Sequence, residues 1–230
     1  IIPNIFRKIF KSKPKNKFES TVKSKWFGSE YGGFFVCQDI LGKNDNIIVY
    51  SCGIGTDISF DRKILKKNKK SEILGFDPTP ISLEWIKSQK NLINFNFYPI
   101  GISDFNGIEK MYFPKYHGVS YGIYNWSNDS KDEVIVDVKT IENIALENGH
   151  KYIDILKMDI EGSEFSVLNA INYDNIEFGQ ILVEFHERFL ENGAELLKKT
   201  IDNLNKNGYQ CFAISDDYEY SFINTKRFAI

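Results

Sequence analysis

From residue 47 onward the chain alternates short apolar runs, rich in β-branched and aromatic residues, with stretches of helical spacing. That alternation predicts an α/β domain with a mostly parallel sheet covered by helices. Strands are expected at "NIIVYS" (46–51), "EILGF" (72–76), "NFYPIG" (96–101), "IDILKM" (153–158), "QILVEF" (180–185) and "YQCFAI" (209–214), with "EYSFIN" returning beside the last. The helical signals between them are specific. Thr79 and Pro80 have the form of an N-cap followed by proline in the first turn, opening "ISLEWIKSQ". Thr140 caps "IENIALEN", and Gly149 stands where a helix needs a left-handed residue to stop. Leu196, Leu197, Ile201 and Leu204 form a helical stripe that ends before Gly208.

One region breaks the alternation. Within residues 108–138, "EKMYFP" and "DEVIVDV" predict an inserted hairpin around the loop "KYHGVSYGIYNWSNDS". Such a loop is long for a connection, which marks it as a candidate lid over a substrate site. His117, Tyr121 and Trp126 in it are candidate substrate contacts, by polarity or by stacking on a sugar face; aromatic packing within the loop, which Tyr116 and Tyr124 could share, is the competing role.

Composition adds limits. At 230 residues and 42% hydrophobic content the chain buries one substantial core. Three cysteines, Cys37, Cys52 and Cys211, have neither disulfide-framework nor zinc spacing, which suits a reducing cytoplasm. No run has the length of a membrane span, and no signal-peptide pattern is visible. The net charge of −2 conceals a basic arm at residues 1–25, preceding a domain at 26–230. With its scattered Ile and Phe residues the arm is suited either to peripheral contact with anionic lipid or to simple solvation.

In an open parallel sheet, ligands lie beyond the carboxyl ends of the strands. The first strand runs into "SCGIGTD", where Gly53 and Gly55 let the backbone approach a ligand closely before a helix begins near Asp57. The second ends in "GFDPTP", placing Asp77, with Pro78 beside it, where an acid accepts both hydroxyls of a ribose. The third ends in "GISD", offering Ser103 and Asp104 at an adenine edge. The third glycine of a dinucleotide turn is replaced by Ile58, and no Gly-Lys-Ser or Gly-Lys-Thr is present, so a nucleoside cofactor without phosphate fits best. S-adenosylmethionine meets that description.

"SCGIGTDISFD", "GFDPTP", "ILKMDIEGSEFSVL" and "ILVEFH", in this order, resemble the FkbM-type methyltransferases, a branch of the class I S-adenosylmethionine-dependent enzymes. The resemblance covers roughly residues 26–186 and is most specific at "KMDIEGSE"; "WFGSEYGGFFV" is similar to the lead-in of some members. It implies a Rossmann-like fold, a seven-stranded sheet with its last strand antiparallel and helices on both faces, and O-methylation, often of sugars. Ser51 stands where class I enzymes usually carry an acid, and Asp57 where they usually carry another glycine. Ser51 is counted among the cofactor-binding residues, and Gly53, Gly55 and Asp57 are grouped at the methionine end, with Asp57 expected to take over recognition of the amino group.

Methyl transfer to a hydroxyl demands in-line alignment and the removal of one proton. Asp159, Glu161, Glu184 and His186 follow neighbouring strands and are expected to converge near the methyl. His186 has the side chain whose ordinary pKa suits a base near neutrality. Alternatively, Asp159, Glu184 and His186 hold a divalent metal that acidifies the acceptor, as in catechol O-methyltransferase. Glu164 is expected to serve only the helix dipole. The expected function is O-methylation of a carbohydrate or glycoconjugate, with no nucleic-acid partner. Its competitors are N-methylation of a protein or nucleic acid on the same fold, and a non-catalytic module.

Overall fold

The computed structural model describes residues 15–43, 46–112, 122, 133–215 and 218–228. In chain order, β1 (Ser24–Phe27) and β2 (Phe34–Cys37) form a two-stranded antiparallel sheet, followed by α1 (Gln38–Lys43). Then come β3 (Ile48–Cys52), α2 (Ser59–Lys67), β4 (Glu72–Phe76), α3 (Pro80–Lys87), β5 (Phe95–Tyr98) and β6 (Gly101–Ile102). The inserted hairpin is β7 (Gly107–Tyr112) and β8 (Glu133–Lys139). The second half comprises α4 (Ile141–Asn148), β9 (Tyr152–Met158), α5 (Glu164–Ala170), β10 (Glu177–Glu184), α6 (Gly193–Lys206), β11 (Tyr209–Ile214) and β12 (Glu219–Asn224).

The main sheet has seven strands in the order β11-β12-β10-β9-β3-β4-β5. Strands β5, β4, β3, β9 and β10 pair in parallel, and β12 runs antiparallel between β10 and β11. This is the expected class I methyltransferase architecture. Side chains alternate across the sheet, as the period of two requires. Tyr50, Leu74, Leu156 and Ile181 face Ile144 of α4, Leu168 of α5 and Leu204 of α6. Val49, Ile73, Ile155 and Leu182 face Ile40 of α1, Ile64 of α2 and Ile86 of α3. Both faces are covered, which is why these strands are near-continuous apolar runs.

The helix boundaries follow their caps. Thr79 accepts a hydrogen bond from Ser82 N–H at 3.3 Å, Thr140 one from Asn143 N–H at 3.1 Å, and Gly149 ends α4 at φ 71°. Some strand ends differ from expectation. β5 stops at Tyr98 because Pro99 has no N–H for the ladder; the chain then leaves for a second sheet of order β6-β8-β7. β10 begins at Glu177, three residues early, because Glu177 and Phe178 pair with Tyr152 and Ile153. α2 starts at Ser59, after Asp57 accepts the Ser59 N–H at 2.7 Å.

The described part of the basic arm lies against the edge of the domain. Lys17 N–H donates to Ile214 O at 2.9 Å, and the Asn16 side chain bridges Phe212 O and Ile214 N–H. No helix among the described residues is long and apolar enough to cross a membrane.

Candidate active site

The chain crosses from β3 towards β5 in its first half and returns to add β9 and β10 on the other side of β3. The strand order therefore reverses between β3 and β9, and a cleft opens at their carboxyl ends. Gly53 makes that juncture possible. Its φ is 78°, and a Cβ there would lie 1.6 Å from Asp159 O. Only glycine lets the two strand ends approach so closely.

The cleft encloses about 1030 Å³ including its open mouth. One end is walled by Ile54, Phe76, Pro78, Ile102, Met111 and Val138. Asp77, 5% exposed, stands at the end of β4. Its Oδ2 accepts from Gly55 N–H at 2.8 Å and its Oδ1 from Thr79 N–H at 2.9 Å and the Thr79 hydroxyl at 2.6 Å. Neutral donors thus fix the carboxylate in place at the cleft wall. Asp57, Asp77, Glu109, Asp159 and Glu161 are the acids among the described lining residues, and Lys157 is the only lysine or arginine. An acidic, largely apolar cleft without a phosphate nest fits a cationic nucleoside such as S-adenosylmethionine.

Beside the other end lies a charge cluster. His186, 3% exposed, shares a 2.9 Å hydrogen bond from Nδ1 to Oε1 of Glu164, which is fully buried. Glu164 also accepts the N–H groups of Ile160 and Gly162, so it ties α5, the turn after β9 and the end of β10 together. His186 Nε2 faces Glu161 at 3.4 Å and Asp159 and Glu184 at 3.9 Å each. Glu161 reaches it from a left-handed turn, φ 53°, that costs a residue with a side chain roughly 1 kcal/mol. Burial alone would lower the His186 pKa. The charge and hydrogen bond of Glu164, with Glu161 and Asp159, outweigh it and raise the pKa to about 10. Burial, reinforced by Asp159, raises that of Glu184 to about 7 against the pull of His186 and Arg188. Asp159, Glu184 and His186 also each offer a ligand atom, all within 4.8 Å of one another. A mixed oxygen and nitrogen set of this kind suits a divalent cation.

The family model of the methyltransferase FkbM domain matches residues 42–211. The chain belongs to the FkbM methyltransferase family. It is an S-adenosylmethionine-dependent methyltransferase. No curated protein matches the sequence. Among solved structures, the Methanococcus jannaschii fibrillarin pre-rRNA processing protein is 10% identical, with 78% of this chain and 67% of that one covered and a TM-score of 0.45. The Geobacter metallireducens precorrin-6y C5,15-methyltransferase is 11% identical, with 80% and 83% covered and a TM-score of 0.39. The Aeropyrum pernix fibrillarin with natively bound S-adenosyl-L-methionine is 11% identical, with 91% and 86% covered and a TM-score of 0.41.

The cleft brings together Gly53, Gly55, Asp57, Asp77, Pro78, Ser103, Asp159 and Glu161, while Glu184 and His186 stand behind Asp159. Four expectations need correction. Ser51 is fully buried under the floor beside Asp61 and does not line the cleft. Asp104 is exposed and turns toward a separate hollow with Thr140 and Glu142. His186 does not stand ready as a neutral base, because Glu164, Glu161 and Asp159 outweigh its burial and raise its pKa to about 10. Glu164, expected to serve only the helix dipole, instead anchors His186.

Asp57 lines the cleft, but its carboxylate accepts from the Ser29 hydroxyl and the Ser59 N–H, which holds the loop after β1 against α2. His117, Tyr121 and Trp126 lie outside the described residues. The sequence reading missed Tyr31 and Gly32, Glu109 on the hairpin, and Lys157. Only Lys157 left a signal: it is a cation inside the apolar run of β9.

Proposed function

We propose that this methyltransferase transfers the methyl group of S-adenosylmethionine to a hydroxyl of a carbohydrate or glycoconjugate, with Glu184 as the proton acceptor. The observation that carries the reading is the half-buried Glu184 carboxylate, which converges with cleft-lining Asp159 from the end of β10 and is raised to about 7 by burial and by Asp159. A neutral hydroxyl is a poor nucleophile until its proton has somewhere to go, and a base poised near the working pH serves that step best.

In this reading Asp77 accepts the ribose hydroxyls, Ser103 borders the adenine, and the Gly53 turn faces the methionine end. Bound S-adenosylmethionine supplies a methyl on a sulfonium; the acceptor oxygen takes the methyl as the C–S bond breaks. Glu184 takes the hydroxyl proton. Asp159 and Glu161 orient the acceptor and favour the cationic cofactor, and His186, held as an imidazolium by Glu164, keeps those carboxylates from repelling one another. A polyanionic acceptor would meet five acids along the cleft and one lysine, which favours an uncharged sugar over nucleic acid.

A second reading rests on the commitment of His186 Nδ1 to Glu164, the arrangement that orients metal-ligating imidazoles. Asp159, Glu184 and His186 would then hold a divalent cation that acidifies the acceptor hydroxyl. The test is mass spectrometry of glycan and metabolite pools treated with the purified protein and S-adenosylmethionine, before and after exhaustive chelation. The proposal expects a gain of one methyl on a carbohydrate hydroxyl that survives chelation. Loss on chelation, restored by Mg²⁺ or Mn²⁺, would select the metal. Methylation confined to protein or polynucleotide would overturn the acceptor class.

A further inference from the structure

The floor beneath the Gly53 turn holds a buried cation that the reaction scheme does not use. Lys157 is 4% exposed, pairs in register with Ser51, and ends at the cleft. Its Nζ donates to Gly53 O at 2.6 Å and lies 5.9 Å from the centroid of the Phe34 ring. An ammonium carries three N–H donors, so the Gly53 carbonyl accounts for only one. Asp61 of α2, fully buried, supplies the opposing charge from below.

Burying a lysine is costly, and a neutral side chain could support the turn at lower cost. What a neutral side chain could not do is meet an anion. The cofactor assigned to this cleft has one anionic group, the α-carboxylate of its methionine, at the end opposite the adenine. Asp77 and Ser103 occupy the nucleoside end, which leaves the carboxylate on the Gly53 side. The other charged groups lining that side are Asp57, Asp159 and Glu161, all of which repel it.

We infer that Lys157 forms the subsite for the α-carboxylate of the cofactor, donating to it across the Gly53 turn. The inference rests on the cofactor lying in this cleft as proposed above. It makes Lys157 a selectivity residue, favouring ligands that retain the amino-acid carboxylate over those that have lost it.

The test uses two ligands that differ in that group alone, S-adenosylhomocysteine and its decarboxylated analogue, whose amine is retained. Titration calorimetry is run on the full chain, on Lys157→Met, and on Lys157→Met/Asp61→Asn, which leaves no buried acid alone if the single variant folds poorly. Wild-type protein is expected to prefer S-adenosylhomocysteine by about 10–100-fold, the range for a hydrogen bond to a charged group, and the variants to lose that preference. A preference that survives in the variants, or an equal loss for both ligands, would overturn the carboxylate role and leave Lys157 as a support of the turn. Wild-type protein binding neither ligand would instead bring down the cleft assignment, and the inference with it.

Discussion

At the nucleoside end of the cleft, Asp77 is held by neutral donors that lie close to strand ends: the N–H of Gly55 and the N–H and hydroxyl of Thr79. At the reaction end, His186 is held by charges from several places: Glu164 on α5, Asp159 and Glu161 in the turn after β9, and Glu184 at the end of β10. Neutral donors fix a position and leave the remaining lone pairs of the carboxylate to receive a ligand. Burial and charge together set protonation as well: burial, helped by Asp159, raises Glu184 to about 7, and against burial Glu164, with Glu161 and Asp159, raises His186 to about 10. In the proposed scheme one end binds and the other moves a proton.

The comparison breaks first at Glu184. Glu184→Gln keeps the shape and a hydrogen-bonding oxygen but cannot accept the proton, so kcat is expected to fall by about 10²–10⁴. The Kd for S-adenosylhomocysteine should not move. A comparable loss of affinity would mean that the two ends are not separable. Asp77→Ala should act in the opposite sense, weakening S-adenosylhomocysteine by about 10–100-fold, with kcat at saturating cofactor nearly retained. A selective loss of kcat in this variant would assign Asp77 to the chemistry.

This difference also explains what could be read from the sequence. The sheet, the caps at Thr79 and Thr140, and the glycine turn with Asp77 twenty-odd residues on are written within short windows, because each depends on residues near one strand end. Convergence of Asp159, Glu161, Glu184 and His186 also follows from adjacent strand ends. Their protonation does not, since the partner that decides it is Glu164, which looks in the sequence like an ordinary first-turn acid. The further tie of Asp57 is hidden for a similar reason: its partner Ser29 comes from the hairpin β1-β2, 28 residues away. Ser51 illustrates the reverse error, where a family position was carried over to a side chain that the fold turns beneath the floor.

The last effect leaves activity aside and concerns stability at the Asp61 and Lys157 pair beneath the Gly53 turn. Burial raises Asp61 from 3.8 to about 6, with Lys157 and the Ser51 hydroxyl pulling the other way. Between about pH 4 and 6 the native state therefore holds a proton that the unfolded chain has already released, and stability from this group falls as pH rises through that window. A rise of that size corresponds to roughly 3 kcal/mol, fully lost above the folded pKa. In Asp61→Asn that slope is absent, so the difference in unfolding free energy between variant and wild type, from urea melts, should grow in the variant's favour from pH 4 to 6 and then level off. A difference that stays constant across the window would show Asp61 ionised throughout. It would then be a full counter-charge to Lys157, and the floor would belong with the coupled charges of the reaction end.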